Sequence, residues 1–264
     1  MPELVSALFA AYVGLGLVVG FVAGLLGVGG GLIIVPVLIM LLHANGLAAG
    51  IEPQLALGTS LASILFTSLS GVRAHHRHGA VEWPLVWRIA PGIVLGTLAG
   101  AVLAAQMSAH VLKVFFVVFL FYAATQMWLD FKPAPHRGLP GRTATTLTGG
   151  AIGAVSSWVG IGGGTLSVPF MLWHNVPLHR AIATSAAIGF PIALAGAAGY
   201  VLGGWHASGL PVGSLGFVYL PALAGIVLTA PLGVRTAHRL PVRPLKRVFA
   251  LLLFTLALRM VWTF

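Results

Sequence analysis

One ten-residue motif occurs twice in this chain. Gly27-Val28-Gly29-Gly30-Gly31-Leu32-Ile33-Ile34-Val35-Pro36 returns 133 residues later as Gly160-Ile161-Gly162-Gly163-Gly164-Thr165-Leu166-Ser167-Val168-Pro169. Each copy follows an apolar segment and opens a second, shorter one. Clustered glycines free backbone N–H groups and permit positive φ. Backbone that is not helical cannot face lipid, so at membrane depth it must be buried in protein or line a cavity. Glycine breaks at corresponding positions of two apolar halves are the sequence mark of a transport site.

Composition places this feature in a membrane. The chain of 264 residues is 58% hydrophobic and only 7% charged, with a mean hydropathy of +1.01. A water-soluble domain of this size needs far more charge to cover its surface. The net charge of +10 sits in short loops between apolar spans. That is the pattern of topology control at an anionic cytoplasmic leaflet, not of a nucleic-acid-binding face. Without cysteine there is no disulfide, thiolate nucleophile or cysteine metal site. Met1-Pro2-Glu3-Leu4 lacks the basic start of a cleaved signal peptide, so the first apolar stretch is expected to remain.

Apolar segments run over 4–26, 32–42, 54–74, 84–105 and 109–129, and then over 143–159, 165–173, 178–202, 214–236 and 242–263. About 20 helical residues cross a bilayer core. The pieces after the glycines are too short, since 32–42 spans only about 16 Å as a helix. The expected architecture is an all-α polytopic membrane protein. Residues 1–129 form a first repeat, 130–142 a cytoplasmic linker and 143–264 a second repeat. Each repeat has about five helical segments, including a glycine-broken pair.

The repeat reaches beyond the glycines. Ala56-Leu57-Gly58-Thr59-Ser60 matches Ala181-Ile182-Ala183-Thr184-Ser185, and Leu112, Lys113 and Phe116 match Leu245, Lys246 and Phe249. Equivalent loops carry opposite charge signals. Arg73 and Arg77 follow segment three, while 203–213 has no Lys or Arg. Arg235, Arg239, Arg243, Lys246 and Arg247 cluster where segment nine passes into segment ten, while 106–110 has no Lys or Arg. Under the positive-inside rule the halves are inverted. The arrangement requires each glycine-linked pair to return to its starting side, leaving both termini outside a cell membrane, expected to be the bacterial inner membrane.

The candidate site follows. Short helices after Gly29, Gly30 and Gly31 and after Gly162, Gly163 and Gly164 aim N-terminal amides and the positive dipole end at their tips. Two such tips near the midplane make an anion pocket without a buried cation. Pro36 and Pro169 are either first-turn residues or mild kinks. Thr59, Ser60, Thr184 and Ser185 either offer hydroxyls to the substrate or bond back to their own helices. Thr165 is a candidate oxyanion donor where the first copy has Leu32. Ser156 and Ser157 precede the second tip, and Gly24 stands opposite Ser157, so the second half-site is the more polar. Trp158 and Asn175 rank lower.

His75-His76-Arg77-His78 reads as interfacial side chains rather than as a metal site, and His43 and His174 as caps of the short helices. Glu3, Glu52, Glu82 and Asp130 are the whole acidic set, and each maps to a terminus or loop. Intramembrane carboxylates of the kind that relay protons in pumps are therefore not expected. No cofactor, metal or nucleotide motif is found. The expected partners are a small anionic substrate and the lipid bilayer, with no nucleic acid; association into a homo-oligomer stays open.

With both GxGGG motifs, their prolines and the two Thr-Ser pairs in view, the whole chain resembles the sulfite exporter TauE/SafE family of membrane transporters. The resemblance implies a secondary transporter of sulfur-containing or small organic anions, such as sulfite, sulfonates, thiosulfate or carboxylates. It marks Gly27, Gly29, Gly30, Gly31, Pro36, Thr59 and Ser60, then Gly160, Gly162, Gly163, Gly164, Pro169, Thr184 and Ser185. The expected function is alternating-access transport, with a passive anion channel as the alternative. An intramembrane enzyme is not expected, since no catalytic dyad is placed within the membrane.

Overall fold

The computed structural model describes residues 12–14, 16–22, 30–77, 79–129, 138–237 and 242–262. Gly27, Gly29 and Asp130 lie outside them. The described residues form helices α1 (Tyr12–Val22), α2 (Gly31–Ala44), α3 (Glu52–Arg77), α4 (Trp83–Gln106) and α5 (Ala109–Leu129), followed by α6 (Arg142–Val159), α7 (Gly164–Trp173), α8 (Leu178–Gly203), α9 (Leu220–Ala237) and α10 (Val242–Trp262). Helices α3, α4, α5 and α8 are long and apolar enough to cross a membrane. Helix α7, with 10 residues, reaches only about 15 Å. The half-length pieces expected after the glycines are therefore present as α2 and α7.

One expected span is corrected. Residues 214–219 do not join the following helix but form a small antiparallel hairpin, β1 (Ser214–Leu215) with β2 (Val218–Tyr219). Gly216 turns it with φ of 53°. The Phe217 N–H donates to the Tyr200 carbonyl at the end of α8. The Phe217 carbonyl oxygen lies 2.1 Å from where a Cβ on Gly58 would stand. The hairpin is wedged between α8 and α3, which take up the N–H groups of Phe217 and Tyr219.

Glycines set the closest helix contacts. On α4, Gly92 and Gly96 face α6 so tightly that a Cβ would come 1.8 Å from the Thr146 carbonyl oxygen and 2.1 Å from that of Gly150. Helix α9 meets α1 in the same manner, with a Cβ on Gly225 falling 2.2 Å from the Val13 carbonyl oxygen. In lipid there is no hydrophobic drive between helices, so such close backbone packing supplies the attraction. Helix α3 packs on α8 and α5 on α10. Elements from 1–129 and from 143–264 therefore interleave. Leu95, Leu147 and Leu228 point outward and exposed, as side chains facing lipid do.

Candidate functional site: the glycine tips

Helix α6 ends at Gly160, whose φ of 69° puts it in the left-handed region while its N–H donates to the Ser156 carbonyl. Three residues later Gly163 leads into α7 with φ 78° and ψ −7°. Gly30 leads into α2 with φ 71° and ψ −15°. Both turns need a conformation that residues with a Cβ resist. Pro36 and Pro169 are each the sixth residue of their helix. They are interior residues, not first-turn ones.

At the α7 tip the backbone N–H groups of Gly162, Gly163, Gly164 and Thr165 have no acceptor among the described residues. The first amides of a helix have no intrahelical partner, and here no side-chain cap replaces it. Two hydroxyls beside them are also unpartnered. Thr165 Oγ1 and Ser156 Oγ are buried without a hydrogen bond, and Ser156 Oγ lies 3.6 Å from the place of a Cβ on Gly163. Buried polar atoms are nearly always paired. Six donors without a partner among the described residues thus surround one tip, a set of the kind an anion accepts from.

The α2 tip lies against the same break. A Cβ on Gly31 would come 2.0 Å from the Gly160 carbonyl oxygen and 3.0 Å from Ser60 Oγ. Ser60 donates to that carbonyl at 2.7 Å. Gly31, Ser60 and Gly160 are thus brought together, while Leu32 and Ile33 beside them are buried apolar residues.

The other predicted hydroxyls all have at least one partner. Thr59 Oγ1 donates to the Leu55 carbonyl at 2.6 Å and accepts the Tyr219 N–H at 2.8 Å. Thr184 Oγ1 accepts the Glu82 N–H at 3.0 Å. Tyr219 and Glu82 each immediately precede a helix, α9 and α4. Each threonine therefore fixes the start of a helix from the opposite half of the sequence. Ser185 accepts from Ser167 at 2.9 Å. Ser157 donates to the Ala154 carbonyl at 2.7 Å and faces Gly100 on α4. Trp158 Nε1 donates to the Gly100 carbonyl.

Two groups are missed from sequence alone. Thr97, fully buried on α4, has an unpartnered hydroxyl that lies 2.6 Å from the place of a Cβ on Gly153. A lone threonine in an apolar span carries no signal of its own. Ser167 replaces Ile34 of the first copy, a difference of the same kind as Thr165 for Leu32, but that difference does not give its partner Ser185.

The polar residues at the ends also need a correction. Glu52 is not a loop residue: it opens α3 and is 4% exposed. Its carboxylate accepts the Gly50 N–H at 3.0 Å and lies 3.3 Å from His43 Nδ1. Glu82 stays in a turn and pairs with Arg180. His174 caps α7 through Nδ1 on the Phe170 carbonyl at 2.7 Å. It lines a cavity of about 290 Å³ with Asn175, Arg88 and Glu82. Among the described residues no group of His, Asp and Glu is placed to hold a metal ion. His76 instead accepts from Trp83 Nε1 at 3.1 Å.

Stacked apolar helices with two half-length members that begin at glycine turns define a multi-pass α-helical membrane protein with a buried donor cluster. Residues 12–260 match the Sulfite exporter TauE/SafE family, and the chain belongs to that transporter family. It is 35% identical over 250 residues to a "Probable membrane transporter protein" of Haemophilus influenzae, covering 93% of this chain and 95% of the relative. The "Probable membrane transporter protein YunE" of Bacillus subtilis is 32% identical, over 74% of this chain and 79% of its own. The "Probable membrane transporter protein MJ0441" of Methanocaldococcus jannaschii is 23% identical, over 93% of this chain and 92% of its own. No solved structure matches.

Proposed function

We propose that this protein is a secondary transporter of small sulfur-containing or organic anions that works by alternating access. The observation that carries the reading is the α7 tip, where, among the described residues, four amides and the hydroxyls of Ser156 and Thr165 have no partner. An anion there receives hydrogen bonds and the positive end of a helix dipole. Each hydrogen bond to a charged group is worth roughly 1.5–3 kcal/mol. The α2 tip closes the other side, and Ser60 holds the two together. Thr59 acts as a strut, since its hydroxyl both donates and accepts within the protein, and Thr184 braces the start of α4 as an acceptor.

The protein sits in the bacterial inner membrane as two inverted repeats with both termini outside. The matched bonds from Thr59 to the start of α9 and from Thr184 to the start of α4 support the pseudo-symmetry. The clustering of Arg88, Glu82 and His174 around one cavity, with Arg180 paired to Glu82, supports a cytoplasmic end there. A reporter fused after Phe264 should read as periplasmic, and a cytoplasmic signal would overturn the orientation.

The test of function is sulfite movement in proteoliposomes. A carrier accelerates labelled sulfite uptake when unlabelled sulfite is trapped inside, and its rate saturates. A conductance that rises linearly with sulfite and shows no counterflow would replace the carrier reading with a channel.

A further inference from the structure

The same tip carries information about the charge of its cargo. We infer that it accepts singly charged anions and rejects dianions, so that sulfite passes as hydrogensulfite. This rests on the reading of the α7 tip as the anion site.

What surrounds the tip decides the matter. Among the described residues the fully or nearly buried polar side chains are hydroxyls, together with Glu52 and Gln54, and none is a Lys, Arg or His. The sequence has no Lys or Arg in residues 1–72 and none in 143–179. The charged and titratable groups on the elements that pack on the tip stand at helix ends. Arg142 opens α6, His174 follows α7, His179 and Arg180 begin α8, and Arg88 lies one turn into α4. On α3, Glu52 and Arg73 are eight residues before Ser60 and nine after Ile64, and His75, His76 and Arg77 follow later still. On α2, His43 is twelve residues beyond Gly31. At ~1.5 Å per residue these groups are about 12 Å or more away along the helix axes. Helix α5 reaches α6 through Phe115 against Trp158, and its His110 is exposed and its Lys113 half-buried in the first two turns. Tyr200 is the exception, and its hydroxyl is committed to the Ser157 carbonyl at 3.0 Å.

The donors are therefore neutral. Thr165, Ser156 and the amides line the tip, and Thr97 adds an unpartnered hydroxyl against α6 three residues earlier, at Gly153. The cost of stripping water from an ion grows with the square of its charge. The attraction between an ion and fixed dipoles grows only in proportion to the charge. A donor set that balances the dehydration of one charge falls well short for two, and among the described residues no buried Lys, Arg or His makes up the difference.

Titration calorimetry on the purified full-length protein tests this with three probes. Methanesulfonate is a monoanion at any working pH, ethane-1,2-disulfonate is a dianion throughout, and sulfite changes between the two near neutrality. The dissociation constant for sulfite should rise by about tenfold per pH unit between about pH 7.5 and about pH 8.5, while that for methanesulfonate stays level and controls for titration of the protein. Disulfonate should bind at least about a hundredfold more weakly than methanesulfonate. The double variant Ser156→Ala, Thr165→Val should weaken methanesulfonate by about tenfold or more, placing the effect at the tip. Disulfonate binding as tightly as methanesulfonate, or sulfite binding that ignores pH, would overturn the inference and leave the anion site standing. Methanesulfonate binding unchanged in the double variant would overturn it by placing selectivity elsewhere. Failure of both methanesulfonate and sulfite to bind at either pH would overturn the site reading itself.

Discussion

At Gly30 and at Gly163 the chain begins a short helix through the same left-handed turn, and a proline follows six residues later in both. The side chains around the two turns differ. The first is followed by Leu32, Ile33 and Ile34, all buried and apolar. The second is followed by Thr165 and Ser167 and is approached by Ser156. The backbone device is duplicated, while, of the two turns and among the described residues, only the second has unpartnered hydroxyls beside it. In the proposed reading the first tip packs and closes and the second binds. The motif alone thus specifies how a helix begins, and the residues beside it specify chemistry.

The largest expected effect comes from breaking the shared device. Gly163→Val should abolish transport, because a β-branched residue resists φ of 78° and its Cβ would lie 2.5 Å from Ile192 Cδ1. Gly30→Val should also fail on backbone grounds alone, with φ of 71°. Retained transport in both variants would show that the left-handed turns are dispensable.

Next come the threonine struts. Thr59→Val and Thr184→Val each leave a backbone N–H without its acceptor, at a cost of about 1–3 kcal/mol if the donor stays dry. Melting temperatures should fall in both, with the affinity of the folded protein for sulfite little changed. A stable Thr59→Val variant with weakened sulfite binding would instead make Thr59 a ligand.

The two structured acids give the smallest effects and a second contrast. Glu52 is buried against Gly50 and His43, so Glu52→Gln should cost about 1–3 kcal/mol of stability. The Glu82–Arg180 pair is substantially exposed, and Glu82→Gln should cost under about 1 kcal/mol. Both variants should keep substantial sulfite transport in proteoliposomes. Loss of transport in folded Glu52→Gln would give that carboxylate a coupling role.

The legible parts of this fold are those with local causes. Glycine clusters followed by proline mark a helix break wherever they occur, and so α2 and α7 are readable to within two residues at each end. Thr165 stands out because its counterpart is Leu32. What stays hidden depends on distant partners. Residues 214–219 are as apolar as a span, and only the surfaces of Gly58 and Tyr200 turn them into a hairpin. Glu52 looks like a loop acid until α2 brings His43 beside it. Thr59 and Thr184 look like substrate ligands, and the partners that occupy them are more than 100 residues away. The small-residue row Gly92, Gly96 and Gly100 is visible as a four-residue spacing, but its partner helix is not.

The most direct test of the division between a closing tip and a binding tip is sulfite affinity, measured by calorimetry at about pH 6 for the parent, Thr165→Val, Thr165→Ser and Leu32→Thr. Removing one hydroxyl donor to a buried charge is worth roughly 1.5–3 kcal/mol, so Thr165→Val should weaken binding by about ten- to a hundredfold without lowering the melting temperature of the ligand-free protein. Thr165→Ser should retain most of the affinity, and Leu32→Thr should change it little. Parent-like sulfite binding by Thr165→Val, or a loss in Leu32→Thr as large as the one expected at Thr165, would contradict the account.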